Sequence, residues 1–525
     1  RWLSAPAGAE NTADDGFGGE NLVLSSNFAG GTEVKLTVSG ADIKTNHVLT
    51  MRGVSPEPEE VEIQILGHLE KFRSDKILGA SYNAKTDTTY FRLFSPRATE
   101  ARVLVYEGAD DRTPWKELPM KEDKDGVWEA GLPGKNFGKY YYYSVDGPRG
   151  EAEGFNRSRM LSDLYAFANV HNDGKSIVYD MGGRDEVFGG WSQKKFNMPG
   201  FSDLIIYEAH VRDFTIDPTS KVKDDLKGKY LGILDTIGKG TGVDHLKKLG
   251  VNAIEFLPLH ESDDNWRRNE YHWGYMTSLF FAPESSYALD PKNGSQVQEL
   301  RRVVDELHKN GIAVIMDVVY NHVGAPNHFA GYDNKYYFRM KPNMTYSNYS
   351  GCGNDFRSES PMARRMIVES ILHFVEHYRI DGFRFDLAEL IDLETLAELK
   401  ERAHKINPNV IFIAEPWSFR GSIKKELRGT GWASWNDYFR NNVKDFARGR
   451  GNVEMLKKVV AGSVDLFAQT PLESINYVES HDDMTLSDEL SLRPDRNDRI
   501  SGETELARNR IAAGRNTVSG EFRLA

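Results

Sequence analysis

From about residue 200 onward, short apolar runs alternate with helical patterns, and this alternation restricts the fold more than any other feature of the chain. LIIYEAHV (204–211) precedes the helical DHLKKLG (244–250), which leads to AIEFLPLH (253–260). The amphipathic VQELRRVVDELHKNG (297–311) ends on glycine and leads to IAVIMDVV (312–319). MARRMIVESILHFVEHYR (362–379) leads to IDGFRFDL (380–387), LETLAELKERAHKI (393–406) to VIFIAEP (410–416), and SINYVESHDD (474–483) ends the series. A strand that always feeds a helix must rejoin its sheet in parallel. Six or seven such units over roughly 280 residues predict a (β/α)8 barrel of the TIM type rather than a doubly wound sheet. A further helical stretch, TELARNRIAAG (504–514), should feed an eighth strand, but RNTVSGEFRLA (515–525) has no convincing apolar run. The expectation for 200–525 is therefore a barrel, apparently truncated, with its eighth strand and a C-terminal domain not evident.

The rest of the 525-residue chain reads differently. Residues 1–20 are rich in Gly, Ala and acids and read as a flexible lead-in. NLVLSS, VKLTV, HVLTM and VEIQIL predict a small β-domain over 21–75. TTYFRLFSP, ARVLVYEG, GVWEAGL and KYYYYSVDG predict a β-sandwich over 76–180. A net charge of −12 argues against nucleic acid and anionic membrane as partners, whereas a neutral carbohydrate carries no such penalty. No apolar run approaches a membrane span. The single cysteine, Cys352, excludes an intrachain disulfide and favours a reducing, cytoplasmic compartment over a secreted one. The chain opens at Arg1 and not at methionine, so a removed leader would not be visible. Nothing in the sequence indicates an oligomeric state.

Barrel enzymes carry their chemistry at the C-terminal ends of the strands. Those ends read DVVYNH (317–322), GFRFD (382–386), IAEPW (413–417) and YVESHDD (477–483). One aspartate at a strand end is usually a helix cap or turn former; four acid- or histidine-bearing ends meeting at one mouth indicate a site. IDGFRFDL is the most telling. Side chains alternate along a strand, so Phe383 and Phe385 should face the helix layer while Arg384 and Asp386 face the interior.

In order and approximate spacing, these four stretches resemble glycoside hydrolase family 13, the α-amylase clan, across about residues 200–490. The resemblance implies that Asp386 is the nucleophile, Glu415 the general acid/base and Asp482 the transition-state stabiliser. It also implies that Tyr275, His322, Arg384, Leu387, Trp417, His481 and Asp483 contact substrate. The residue chemistry is compatible with those roles. Cleavage with retention needs one ionised and one protonated carboxyl. Arg384 should keep Asp386 ionised, and the apolar run before Glu415 should raise its pKa. No cofactor is required; the resemblance leaves room for a structural Ca²⁺, but no ligand set assembles from the sequence. Asp317 and Asn321 read instead as organising the loop around His322.

Within that family, YEAHVRDFT (207–215), YHWGY (271–275) and residues 351–390 resemble the pullulanase and isoamylase debranching branch. Residues 76–180 resemble the carbohydrate-binding module that precedes debranching barrels. The implied reaction is hydrolysis of α-1,6 branch links in glycogen, amylopectin or pullulan, with an α-glucan as partner. Three departures stand out: His272 for the family's Asn, Met276-Thr277 for its Asp-Pro, and Asp483 for the Asn of its HDN motif. An α-1,4-acting amylase or transglycosylase, or an inactive α-glucan-binding protein on the same fold, stays open as an alternative.

Overall fold

The computed structural model describes residues 66–482 apart from 151, 183–188, 193–195, 264–270 and 448–450, together with residues 42–45 and strand segments at 11–12, 23–27, 35–39, 48–51 and 59–62. The expected helix at 504–514 and the expected site residue Asp483 lie outside the described residues.

Seven parallel strands form one sheet in sequential order: β1 (Ile206–Ala209), β2 (Ala253–Phe256), β3 (Ala313–Val318), β4 (Gly382–Phe385), β5 (Ile411–Ala414), β6 (Ala433–Trp435) and β7 (Ser474–Ile475). Helices α1 (Gly242–Leu249), α2 (Ser295–Lys309), α3 (Pro361–Tyr378) and α4 (Leu393–Ile406) make the crossovers that parallel pairing requires. Their ends follow local chemistry. Gly250 caps α1 in the left-handed conformation, Pro361 opens α3, and the Asp392 side chain accepts the Thr395 N–H at the start of α4.

Strands β2 to β5 are buried along their whole length, as expected of parallel strands covered on both faces. Ala253, Ala313, Ile315, Ile411, Ile413, Ala433 and Trp435 fill the interior, while Phe383, Phe385 and Phe412 join the core under the helices. Gly382 pairs with Ile411, and a Cβ at this position would lie 2.4 Å from Ile411 Cγ1. Only glycine lets β4 and β5 approach so closely. The sheet curls until the segment after β7 reaches β1, where His481 Nδ1 lies 2.8 Å from Glu208 Oε1.

Two details differ from the periodicity reading. The run 253–260 is not one strand, because His260–Ser262 leaves the sheet to pair antiparallel with Thr277–Pro283. Strand β6 is three residues long, too short for any periodicity to announce it.

Ahead of the barrel, two four-stranded antiparallel sheets pack face to face. Thr88–Phe94 and Glu100–Tyr106 alternate buried and half-buried residues, and Phe91 of one sheet meets Tyr141 of the other at 5.1 Å between ring centroids. The sandwich rests on residues 328–337, which follow β3. Phe94 packs on Tyr336, Tyr143 faces Tyr332, and Tyr332 Oη donates to the Ser162 carbonyl at 2.8 Å.

At the centre of that contact lies a buried ionic cluster. Arg97 donates to Asp333 at 2.7 Å and to Glu153 at 2.7 Å, and Lys335 Nζ is 2.8 Å from Glu153. The sandwich and the barrel thus share charges that neither can leave unpaired. Arg97→Ala takes the guanidinium away from the buried Asp333 carboxylate and leaves Glu153 to Lys335, and a loss of about 3–5 kcal/mol is expected, measured as a lower urea midpoint. A midpoint equal to that of the wild type would show that the cluster contributes nothing to stability.

Candidate active site

Strand register builds the site around one side chain. Asp317 on β3 pairs directly with Arg384 on β4, so both project from adjacent strands on the same face. Arg384 has no exposed surface. Its Nη1 lies 3.1 and 3.0 Å from the two oxygens of Asp317 and 3.1 Å from Asp386 Oδ1, and its Nη2 lies 3.0 Å from Glu415 Oε2. The Trp435 ring closes the other side, 4.2 Å from the guanidinium carbon. Burial alone would penalise this cation, but the surrounding carboxylates and Tyr275 hold it firmly protonated.

The chain turns sharply after Asp386. Leu387 adopts φ 40°, ψ 48°, a left-handed conformation uncommon for a residue with a side chain. That turn brings the Leu387 N–H to within 2.9 Å of Glu415 Oε2. Leu387 therefore contributes its backbone to the site. Asn321 donates through Nδ2 to Asp386 Oδ2 at 2.7 Å and to the Asp386 carbonyl at 2.8 Å. Its Oδ1 lies 2.5 Å from His322 Nδ1. His322 Nε2 is buried with no hydrogen-bond partner among the described residues, and burial lowers the pKa of this ring, leaving it neutral.

Three acids hold their protons unusually well. Burial, opposed by Arg384 and reinforced by the Asp386 charge, pushes Glu415 up to about 7. The same balance pushes Asp317 up to about 7. Burial together with the nearby Glu208 and Asp317 pushes Glu255 up to about 8. Asp482 behaves in the opposite way. Burial works against its charge, but the bond to His481 holds its carboxyl below the usual range. His481 Nε2 lies 3.3 Å from Asp482 Oδ1, and 44% of the Asp482 side chain is exposed.

Tyr275 is half-buried, with its ring stacked on His481 at 4.8 Å and its hydroxyl donating to Asp317 Oδ2 at 2.5 Å. Trp417 is half-buried beside Glu415 on the chain, with Lys424 Nζ 5.0 Å from its ring centroid. The structure thus gathers Asp386, Glu415, Arg384 and the Leu387 amide into one hydrogen-bonded unit. His481 and Tyr275 join it through Asp317, and Asn321 connects it to His322. Asp317 departs from its expected role: it faces Arg384 and Tyr275, while Asn321 bonds to His322. Sequence reasoning also missed Glu208, Glu255 and Trp435. Glu208 and Glu255 carried a usable signal, a lone acid inside an apolar strand run, as in IIYEAHV and AIEFLPL. Among the described residues no group of three or more His, Cys, Asp or Glu side chains is placed to hold a metal ion.

The arrangement pairs a carboxyl able to give up a proton near neutral pH with another carboxyl anchored on the same guanidinium. Such a pair suits acid-assisted displacement at an acetal carbon.

Comparison with known proteins matches carbohydrate-binding module 48, the isoamylase N-terminal domain, at residues 77–166, and the α-amylase catalytic domain at residues 220–351. The chain is 33% identical over 482 residues to a pullulanase of Bacillus subtilis (strain 168), covering 85% of this chain and 64% of that protein. It is 35% identical over 430 residues to a chloroplastic isoamylase 3 of Oryza sativa subsp. japonica, covering 73% and 54%. It thus spans less than two thirds of the length of these curated relatives. Among solved structures, a Paenibacillus barengoltzii pullulanase in complex with maltohexaose and α-cyclodextrin superposes with TM-score 0.71 at 35% identity, covering 85% of this chain and 72% of that one. A pullulanase from Bacillus acidopullulyticus gives TM-score 0.78 at 30% identity, covering 98% and 67%.

The proximity of Asp386 to Glu415 has a measurable consequence. The Asp386 charge helps to raise Glu415, so Asp386→Asn should move the Glu415 titration down from about 7. Infrared titration of the carboxyl band checks this, and an unmoved or higher value would contradict the electrostatic coupling.

Proposed function

The chain belongs to glycoside hydrolase family 13, in the branch that includes pullulanases and isoamylases, and we propose that it hydrolyses α-1,6-glucosidic branch links in glycogen, amylopectin or pullulan-type α-glucans with retention. The observation that carries this reading is the joint hold of one buried guanidinium on Asp386 and Glu415, with Glu415 pushed up to about 7. Debranching, as opposed to α-1,4 cleavage, is favoured by the pullulanase and isoamylase relatives and by the isoamylase-type module at residues 77–166. The saccharide complex of the Paenibacillus pullulanase supports an α-glucan as ligand. In domain terms, 21–75 is a small β-domain after a lead-in, 76–180 a carbohydrate-binding-module-like sandwich, and 200–525 the catalytic barrel.

In this reading Glu415 protonates the glycosidic oxygen as the Asp386 carboxylate attacks the anomeric carbon. The bond to the leaving sugar breaks and a glucosyl ester forms on Asp386. Glu415, now ionised, removes a proton from water, which attacks the anomeric carbon and releases Asp386. Asp482, held charged by His481, faces the positive charge that develops on the sugar ring. The unused Nε2 of His322 serves a sugar hydroxyl, and Tyr275 and Trp417 offer apolar surface to the sugar rings. The chemistry rests on carboxylates and calls for no organic cofactor; no step is assigned to a Ca²⁺ ion.

Incubation with pullulan is expected to release maltotriose, and Asp386→Asn to lower turnover by at least about 10³-fold. Panose-like products would favour an α-1,4 enzyme, and glucan binding without turnover a non-catalytic protein. The pH dependence has a definite sign. The first step needs Glu415 protonated, and a raised pKa keeps that proton to higher pH. Activity should therefore fall as pH rises through about 7. A rate still climbing at pH 9 would remove Glu415 from the acid role.

A further inference from the structure

Strands β1 and β2 place two glutamates side by side. Glu208 and Glu255 are direct partners in the parallel ladder, so their side chains leave on the same face. Two neighbouring carboxylates repel unless one holds a proton, and Glu255, almost fully buried, is the one that burial pushes up to about 8. Glu208 turns to a different neighbour. Its Oε1 lies 2.8 Å from His481 Nδ1, on the segment that follows β7. The other ring nitrogen, Nε2, lies 3.3 Å from Asp482 Oδ1. His481 is thus suspended between two carboxylates, one from β1 and one on its own segment. A ring with an acid at each nitrogen satisfies both only by donating from both, as the imidazolium.

The rest of the surroundings fix the ring plane. Tyr275 stacks on it at 4.8 Å, with its hydroxyl 3.3 Å from Nδ1, and Trp273 meets it edge-on at 5.3 Å. Trp435 on β6 lies 6.2 Å away. Glu255 from β2, Asp317 from β3 and Arg384 from β4 also act on its charge. Of the groups on these strands, only Glu208 makes a hydrogen bond to the ring.

We propose that Glu208 is a positioning residue for the reaction, gripping His481 through Nδ1–H so that Nε2–H is presented to Asp482 and the imidazolium charge is kept beside it. The proposal rests on the reading of Asp482 given above. Glu208 does not touch the reacting atoms; it acts through His481. Burial works against the His481 charge, but the bonds to Asp482 and Glu208 outweigh it and push the ring up to about 10. Loss of the Glu208 charge should therefore lower that value.

The test combines two readouts on the full chain. The first is NMR titration of histidine-labelled protein, with the His481 signal assigned by its disappearance in His481→Asn. In Glu208→Gln, which keeps an acceptor oxygen but loses the charge, the His481 titration should move down by about one pH unit or more. The second is kinetics on pullulan. Glu208→Gln should lower kcat roughly tenfold to a hundredfold with KM within about threefold of wild type, and Glu208→Asp should recover part of the loss. Thermal unfolding of each variant separates a local effect from a general loss of structure. An unshifted His481 titration overturns the proposal, as does a shifted titration with unchanged kcat. A wild type inert on every α-glucan would defeat the hydrolase reading, and the proposed catalytic consequence with it. The histidine titration would still decide whether Glu208 holds the imidazolium.

Discussion

A guanidinium with no exposed surface, ringed by three carboxylates from three successive strands, is the interaction on which the rest of the site depends. Burying one charge without partners would cost several kcal/mol, so Arg384 is tolerable only where β3, β4 and β5 each deliver an acid to it. Asp317 and Glu415 in turn depend on Arg384, because it opposes the burial that would otherwise protonate them further. The geometry follows from parallel register: Asp317 stands beside Arg384, and Asp386 and Glu415 lie just past the ends of β4 and β5. Moving either strand by one residue would turn its charged group into the helix layer.

The sheet interior is consequently divided along its axis. Alanines and isoleucines of β2, β3 and β5 fill one level, and Gly382 makes room for Ile411 there. Toward the C-terminal ends, acids, histidines and aromatic rings take over. Leu387 accepts a left-handed backbone because the turn supplies Glu415 with an amide donor, so local strain is exchanged for a fixed carboxyl. The β-sandwich is not a loose appendage to this arrangement. It is locked through Arg97, Glu153 and Asp333 onto the segment that follows β3, the strand whose end carries Asn321 and His322.

Much of this was legible beforehand. The strand–helix rhythm identified the barrel, and the charges alternating with Phe383 and Phe385 pointed to β4 as part of a candidate site. The apolar run before Glu415 correctly suggested an acid that keeps its proton. Three features escaped for physical reasons. A three-residue strand such as β6 has no periodicity, so Trp435 could not be placed under Arg384. The Leu387 conformation is a backbone property that its side chain does not advertise. Asp317 was assigned to its neighbour in the chain, His322, whereas its true partner was its neighbour across the sheet.

By itself the sequence determined most of the strand and helix order and which side chains share a strand face, and it pointed to the strand ends as the place for chemistry, because these depend on spacing along one segment. Only the tertiary structure decided which strand end meets which. That Glu208 near the start of the sheet holds His481 beyond its seventh strand, and that one guanidinium is shared among three acids, follows from closure and register of the sheet. Those distances are set by how separate segments pack, and no pattern within a single segment records them.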